Sequence, residues 1–204
     1  SYINLAPYQA AFPDKDVWHK PFEAFGGESV YRHKLKNDGL LKLYGAMSYL
    51  NFDLTQEDIN VAEGVRFGMK NRNLYINASY QAFLKNDWSV LSGISFSNDK
   101  SDIKIIDDEI EDTNNSVHYK VKFKKHFSNR FKLNMGSEYF TTHFKEEYQG
   151  VINGSSNYGF NNNIFASFLE ADIFFSKRVA SKIGVRAEYS ELLQEFTLSP
   201  RLSL

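Results

Sequence analysis

The chain has 204 residues, 25 acidic and 24 basic, for a net charge of −1, so no basic surplus argues for a nucleic-acid partner. It has no cysteine, which excludes disulfides and thiolate metal sites. No run of about 18 apolar residues predicts a transmembrane helix; a transmembrane barrel, whose strands alternate lipid-facing and lumen-facing residues, would show no such run.

Aromatics are 16% of the chain, with 18 Phe and 12 Tyr, a bias shared by soluble sandwiches and by the girdles of outer-membrane barrels. Helical periodicity is weak along the whole chain, and period-2 alternation is frequent. A first strand is expected near 28–36. A second, near 40–52, puts Leu41, Leu43, Gly45, Met47 and Tyr49 on one face. A third, near 64–84, sets Leu74, Ile76, Ala78, Tyr80 and Ala82 against Tyr75, Asn77, Ser79, Gln81 and Phe83. The next, near 88–98, alternates Trp88, Val90, Ile94 and Phe96 with Ser89, Leu91, Gly93 and Ser95. Near 116–127, Val117, Tyr119, Val121 and Phe123 alternate with His118, Lys120, Lys122 and Lys124. Near 131–141, Phe131, Leu133, Met135 and Tyr139 share a side. Strands near 164–176 and 182–190 carry Leu169, Ala171, Ile173 and then Ile183, Val185, Ala187, Tyr189 on an apolar face, with Glu170, Asp172, Arg186 and Glu188 opposite. A last strand near 195–204 contains Pro200, which lacks an amide donor and marks an edge or a bulge.

The connections alternate too. Short ones read KNDG (36–39), KND (85–87), SNR (128–130) and SKRVASK (176–182). Longer polar stretches at 53–63, 98–116 and 142–163 are expected to be loops. Runs of about 9–14 residues match tilted membrane strands, which need about 9–11, better than the shorter strands of a Greek-key sandwich. The expected class is all-β: an antiparallel up-and-down transmembrane β-barrel. Nine strands is an odd number and the chain stops on the strand residue Leu204, so residues 1–204 are expected to be one barrel segment of a larger barrel.

The stretch FLEADIFFSKRVASKIGVRAEYSELLQEFTLSPRLSL (168–204) resembles the barrel of TonB-dependent outer-membrane receptors of the Bacteroidetes kind, through its E-x-D-x-x-F strand, SKR-x-A turn, GVRAEYS strand and SPRLSL strand, in that order. NLAPY, FGGESVYRHK, NLYINASYQ and FKLNMGSEYF resemble earlier strands of such barrels. The resemblance implies a barrel of about 22 strands filled by a plug domain. It further implies import of a scarce nutrient (glycan, siderophore, cobalamin or peptide), driven through TonB and its inner-membrane motor. The implied partners are the plug, TonB, the lipid bilayer and a surface lipoprotein lid. No plug, no TonB-contacting segment and too few strands to close that barrel are seen in this sequence. A non-transporting barrel or assembly module and a soluble glycan-binding β-sandwich remain as alternatives.

No catalytic constellation is expected: HExxH, G-x-S-x-G, the P-loop and the dinucleotide fingerprint are all missing. No cofactor is expected, and the five histidines show no metal-ligand spacing. The acidic run DDEIED (107–112) has carboxylates for a hard cation but lacks EF-hand spacing, and reads first as solvated loop. If the apolar face meets lipid, Glu170, Asp172, Arg186 and Glu188 face the lumen, where they would pair with each other or contact a plug or a solute. Tyr139, Phe140, Phe174, Phe175 and Tyr189 lie near strand ends and are expected in the membrane-interface girdles. Tyr148, Tyr158 and Phe160 are loop candidates for ligand contact. This facing predicts that Val185→Arg impairs insertion while Arg186→Gln is tolerated.

Overall fold

The computed structural model describes residues 1–13, 17–36, 38–152 and 154–204. Ten strands form: β1 (Tyr2–Asn4), β2 (Val17–Lys34), β3 (Leu40–Gln56), β4 (Val65–Phe83), β5 (Trp88–Ile105), β6 (Asp108–Ser128), β7 (Phe131–Gly150), β8 (Gly154–Phe174), β9 (Ala180–Ser190) and β10 (Glu195–Ser203). One short helix, α1 (Ala6–Ala11), lies between β1 and β2. All ten strands belong to one sheet in the order β1 to β10, each antiparallel to its chain neighbours. A two-sheet sandwich, the soluble alternative, is not what forms.

The sheet has almost no interior. Ala82 and Ala166 are the only buried apolar side chains among the described residues. A compact folded monomer of 23.5 kDa is expected to expose about 9,800 Å², whereas this chain exposes 14153 Å². The surplus belongs to the two faces of a single sheet, on which no second layer packs among the described residues.

Because direct cross-strand partners project to the same side, the register sorts residues by face. One outward row runs Pro200, Val185, Leu169, Met135, Phe123, Val90, Ala82, from β10 to β4. A row above it runs Phe196, Tyr189, Phe165, Tyr139, Tyr119. Leu169, Ile183 and Phe165 are 45%, 49% and 54% exposed. On the opposite face the Glu138, Asp172 and Glu170 side chains are only 14%, 19% and 20% exposed. The charged face is therefore the enclosed, concave one, and the apolar face is the convex outside.

The apolar band has a defined height. On β7 it runs from Phe131 to Thr141, with His143 and Lys145 next on the same face. At about 3.4 Å per residue and a tilt of about 40°, that is a band of about 25 Å, the height of the lipid-facing band of outer-membrane barrels. Phe127 and Phe131, ring centroids 5.4 Å apart, stand at its short-turn rim.

Two of the three expected long loops are strand. Residues 98–116 form the ends of β5 and β6, joined by Ile106 and Asp107 alone, and 142–163 likewise extends β7 and β8. Asn153, in that second stretch, lies outside the described residues, as does Asn37 of the 36–39 turn. Glu57 to Gly64 is a true loop. Its Gly64 has φ +76°, and a Cβ there would meet the Gln56 carbonyl oxygen at 2.7 Å.

The physical reason is a reversal of polarity along the strands. Beyond the apolar band the outward rows become Lys145, Thr113, Lys100, Arg72 and then Glu147, Glu111, Asp102, Lys70. The inward face there turns apolar: Phe52, Met69, Ile103, Ile110 and Tyr148 are successive direct partners. Alternation continues with its faces exchanged, and paired ladders satisfy the backbone as well in water as in lipid. Ten strands form where nine are predicted because β1, three residues long, is too short for a periodic signal; it is placed by its pairing with β2, Tyr2 opposite Phe25 and Asn4 opposite Glu23. β2 begins at Val17 rather than near 28, with register shifts between Trp18, Lys20 and Glu23 that break the period-2 pattern. Pro200 lies within β10, directly opposite Val185.

Candidate functional site

The inner wall of β6 to β10, at the level of the apolar band, carries two neighbouring ionic clusters, one around Arg186 and one around Glu170. Gly184 and Lys182 alternate with Ile183 and Val185, so β9 turns its charges inward and its aliphatic groups outward. Arg186 is the hub. Its Nη1 donates to Glu138 Oε2 at 2.9 Å, while Nε and Nη2 donate to Glu188 Oε2 at 3.1 and 2.9 Å. Lys120 pairs with the other Glu138 oxygen. Lys182 lies 3.4 Å from Asp172 and 3.9 Å from Glu170, and Arg201 lies 3.8 Å from Glu170. Asn134 Nδ2 donates to Asp172 at 3.1 Å. Lys120 also stands over the Phe168 ring at 5.5 Å, and Lys132 over the Phe174 ring at 5.0 Å.

Glu170, Asp172, Arg186 and Glu188 thus all sit on the inner face. Their partners Glu138, Lys120, Lys182 and Arg201 were missed as site residues. The available signal was parity, because Glu138 shares the inner positions of β7 with Lys132 and Asn134. A hollow of about 400 Å³ opens among Lys120, Lys122, Glu138, Phe168, Glu170, Arg186 and Arg201.

The aromatic expectations divide. Tyr139 and Tyr189 are on the outer face, in the row with Phe165, whose ring centroid is 4.7 Å from that of Tyr139. Phe175 is exposed at the turn after β8. Phe140 and Phe174 are corrected: they fall on the inner face, Phe140 edge-on to His118 at 6.0 Å and Phe174 beneath Lys132. Proximity to a strand end says nothing about face; parity does.

Tyr148, Tyr158 and Phe160 are strand residues, not loop residues. All three point inward beyond the apolar band. Phe144, a direct partner of Phe160, brings ring centroids to 5.5 Å from Phe160 and 6.3 Å from Tyr158, forming a three-ring cluster on the inner wall. Tyr158 is 60% exposed there. The Tyr148 hydroxyl donates to Asp108 at 2.7 Å.

The run 107–112 is split between faces and largely partnered. Asp108 accepts from Tyr148 and from the Val151 amide, Glu109 pairs with Lys104 at 2.9 Å, and Glu111 pairs with Lys100. Among the described residues no group of three or more His, Asp or Glu side chains is placed to hold a metal ion. Above the band, Arg66 donates twice to Asp53, at 2.9 and 2.7 Å, and these bonds hold the Asp53 carboxyl below the usual carboxylate range. Lys145 does the same to Glu147.

The sheet is similar to that of the ferric yersiniabactin uptake receptor FyuA from Yersinia pestis, with a TM-score of 0.58 and 11% identity over 82% of this chain and 28% of the receptor. The fold is that of an outer-membrane β-barrel wall. The β domain of the Bordetella autotransporter BrkA aligns with a TM-score of 0.42 and 8% identity, over 92% of this chain and 78% of that domain. The outer-membrane transporter YddB from Escherichia coli aligns with a TM-score of 0.39 and 11% identity, over 89% and 36%. These last two are too distant to carry an argument. The chain spans little more than a quarter of the length of the uptake receptor it matches. No protein-family model matches the sequence, and no curated protein matches it.

Proposed function

We propose that this chain forms part of the wall of an outer-membrane receptor of the TonB-dependent kind, importing a scarce nutrient across the bacterial outer membrane. The observation that carries the reading is the two-tier exchange of faces. An apolar band of about 25 Å faces outward over a charged concave wall, and beyond it the outward face is charged. A lipid bilayer would cover the band, a plug would lie against the ionic wall, and TonB with its motor would act on that plug. Phe144, Tyr158 and Phe160 would meet the solute before it reaches the ionic tier; a surface lipoprotein lid would close over the same opening. The role is binding and passage, not catalysis.

The test is fractionation of the source cells with mass spectrometry of the intact polypeptide that carries these peptides. Recovery in the outer membrane, in a polypeptide several times 23.5 kDa, is the expected result. Recovery as a soluble protein would overturn the reading. Retention in the membrane without any growth or uptake defect on deletion would instead favour a non-transporting barrel.

A further inference from the structure

Lys122 has no ion pair among the described residues, although it lines the hollow of about 400 Å³ in the ionic wall. Its direct partners explain why: Leu91 on one side and Gly136 on the other. Neither carries a charge, and the diagonal carboxylate, Glu138, is already paired with Lys120 and Arg186. At Gly136 a Cβ would meet the Val121 carbonyl oxygen and lie 2.6 Å from Phe168 Cζ, so the Phe168 ring lies over the glycine. Around the hollow four cations, Lys120, Lys122, Arg186 and Arg201, meet two carboxylates, Glu138 and Glu170. Glu188, just outside the hollow, also takes Arg186, yet one positive charge remains unbalanced. Arg201 lies 3.8 Å from its carboxylate, longer than a close charge-assisted bond, so its planar donors keep room for a second acceptor.

We propose that this hollow binds an oxyanion, a carboxylate or a phosphate, held by the Lys122 ammonium and the Arg201 guanidinium. A charge-assisted hydrogen bond is roughly twice as strong as a neutral one, and the fixed partners of Lys120 and Arg186 keep those two cations from competing for the anion. The inference rests on the reading that the concave face is a lumen. The anion has two sources: an Asp or Glu side chain of a polypeptide lying in the lumen, or a free anionic solute.

The experiment is lysine acetylation of the native polypeptide in outer-membrane vesicles, read residue by residue by mass spectrometry. Lys124 is the internal control: it is two residues along the same face, without an ion pair among the described residues and outside the hollow. Modification of Lys122 at least tenfold slower than Lys124 in phosphate-free buffer supports a resident carboxylate, and a carbodiimide amide from Lys122 then identifies the acid. Equal rates that separate tenfold on adding inorganic phosphate support a free oxyanion. Equal rates with and without phosphate, and no carbodiimide product beyond Glu138 and Glu170, overturn the site. The fraction in which the polypeptide is found is read before labelling, so failure of the membrane reading stays distinct from failure of the site. In a soluble polypeptide the same lysine pair is still compared.

Discussion

Two arginine substitutions test the facing of the sheet. Val185 is outward in the middle of the apolar band, between Leu169 and Pro200. Thr197 lies on the adjacent strand, inward and directly opposite Glu188. Both substitutions add the same charge and nearly the same bulk, on adjacent strands but on opposite faces of the sheet. Val185→Arg puts a guanidinium into the hydrocarbon near the membrane midplane, at a cost of about 2–4 kcal/mol. That is roughly a 30- to 700-fold loss in the folding equilibrium. Thr197→Arg puts the same group beside a carboxylate on a hydrated wall, where a cross-strand pair of opposite charges is worth less than about 1 kcal/mol. Urea unfolding of the native polypeptide from phospholipid vesicles measures both, and Val185→Leu controls for the change of shape. The expected order is a large loss for Val185→Arg and a near-native midpoint for the other two. Equal losses from the two arginines, or the greater one from Thr197→Arg, would refute the facing.

Because the chain has no cysteine, single-cysteine labelling maps the band directly: Lys145→Cys should react with a membrane-impermeant maleimide on whole cells, and Met135→Cys should stay protected. Arg186→Gln, expected from sequence alone to be tolerated, removes three charge-assisted donors and should cost about 1.5–3 kcal/mol in the same urea assay, softened because Lys120 still holds Glu138. Gly136→Ala should lower stability by about 1–3 kcal/mol, since the Val121 carbonyl is backbone and cannot swing aside. The depressed Asp53 carboxyl adds stability that is complete above the ordinary Asp range of about 4 and is lost as pH falls through its lower folded value. Amide exchange at the ends of β3 and β4 should therefore quicken on acidification, and Asp53→Asn should abolish that dependence; an unchanged acid response in the variant would assign it elsewhere.

Much of this architecture is local in origin and so was legible in the chain itself. Leu41 to Tyr49 and Leu169 to Phe175 alternate because a strand has a period of two, and the tight turns announce themselves through Asn, Asp, Gly and Ser. From these alone came the meander, the outward face of Val185 and Tyr189, and the inward face of Glu170, Asp172, Arg186 and Glu188. The tertiary structure decided what depends on partners. Ile103 and Ile110 look like members of a polar loop until the register makes them direct neighbours on the inner wall. Phe140 and Phe174 look like girdle residues until parity carries them inward. Glu138 and Lys120 become a site only when β6, β7 and β9 bring them to Arg186, 48 residues away along the chain from Glu138. Alternation tells each strand that it has two unlike faces. Only pairing across strands tells which residues share one, and at what height the two faces exchange character.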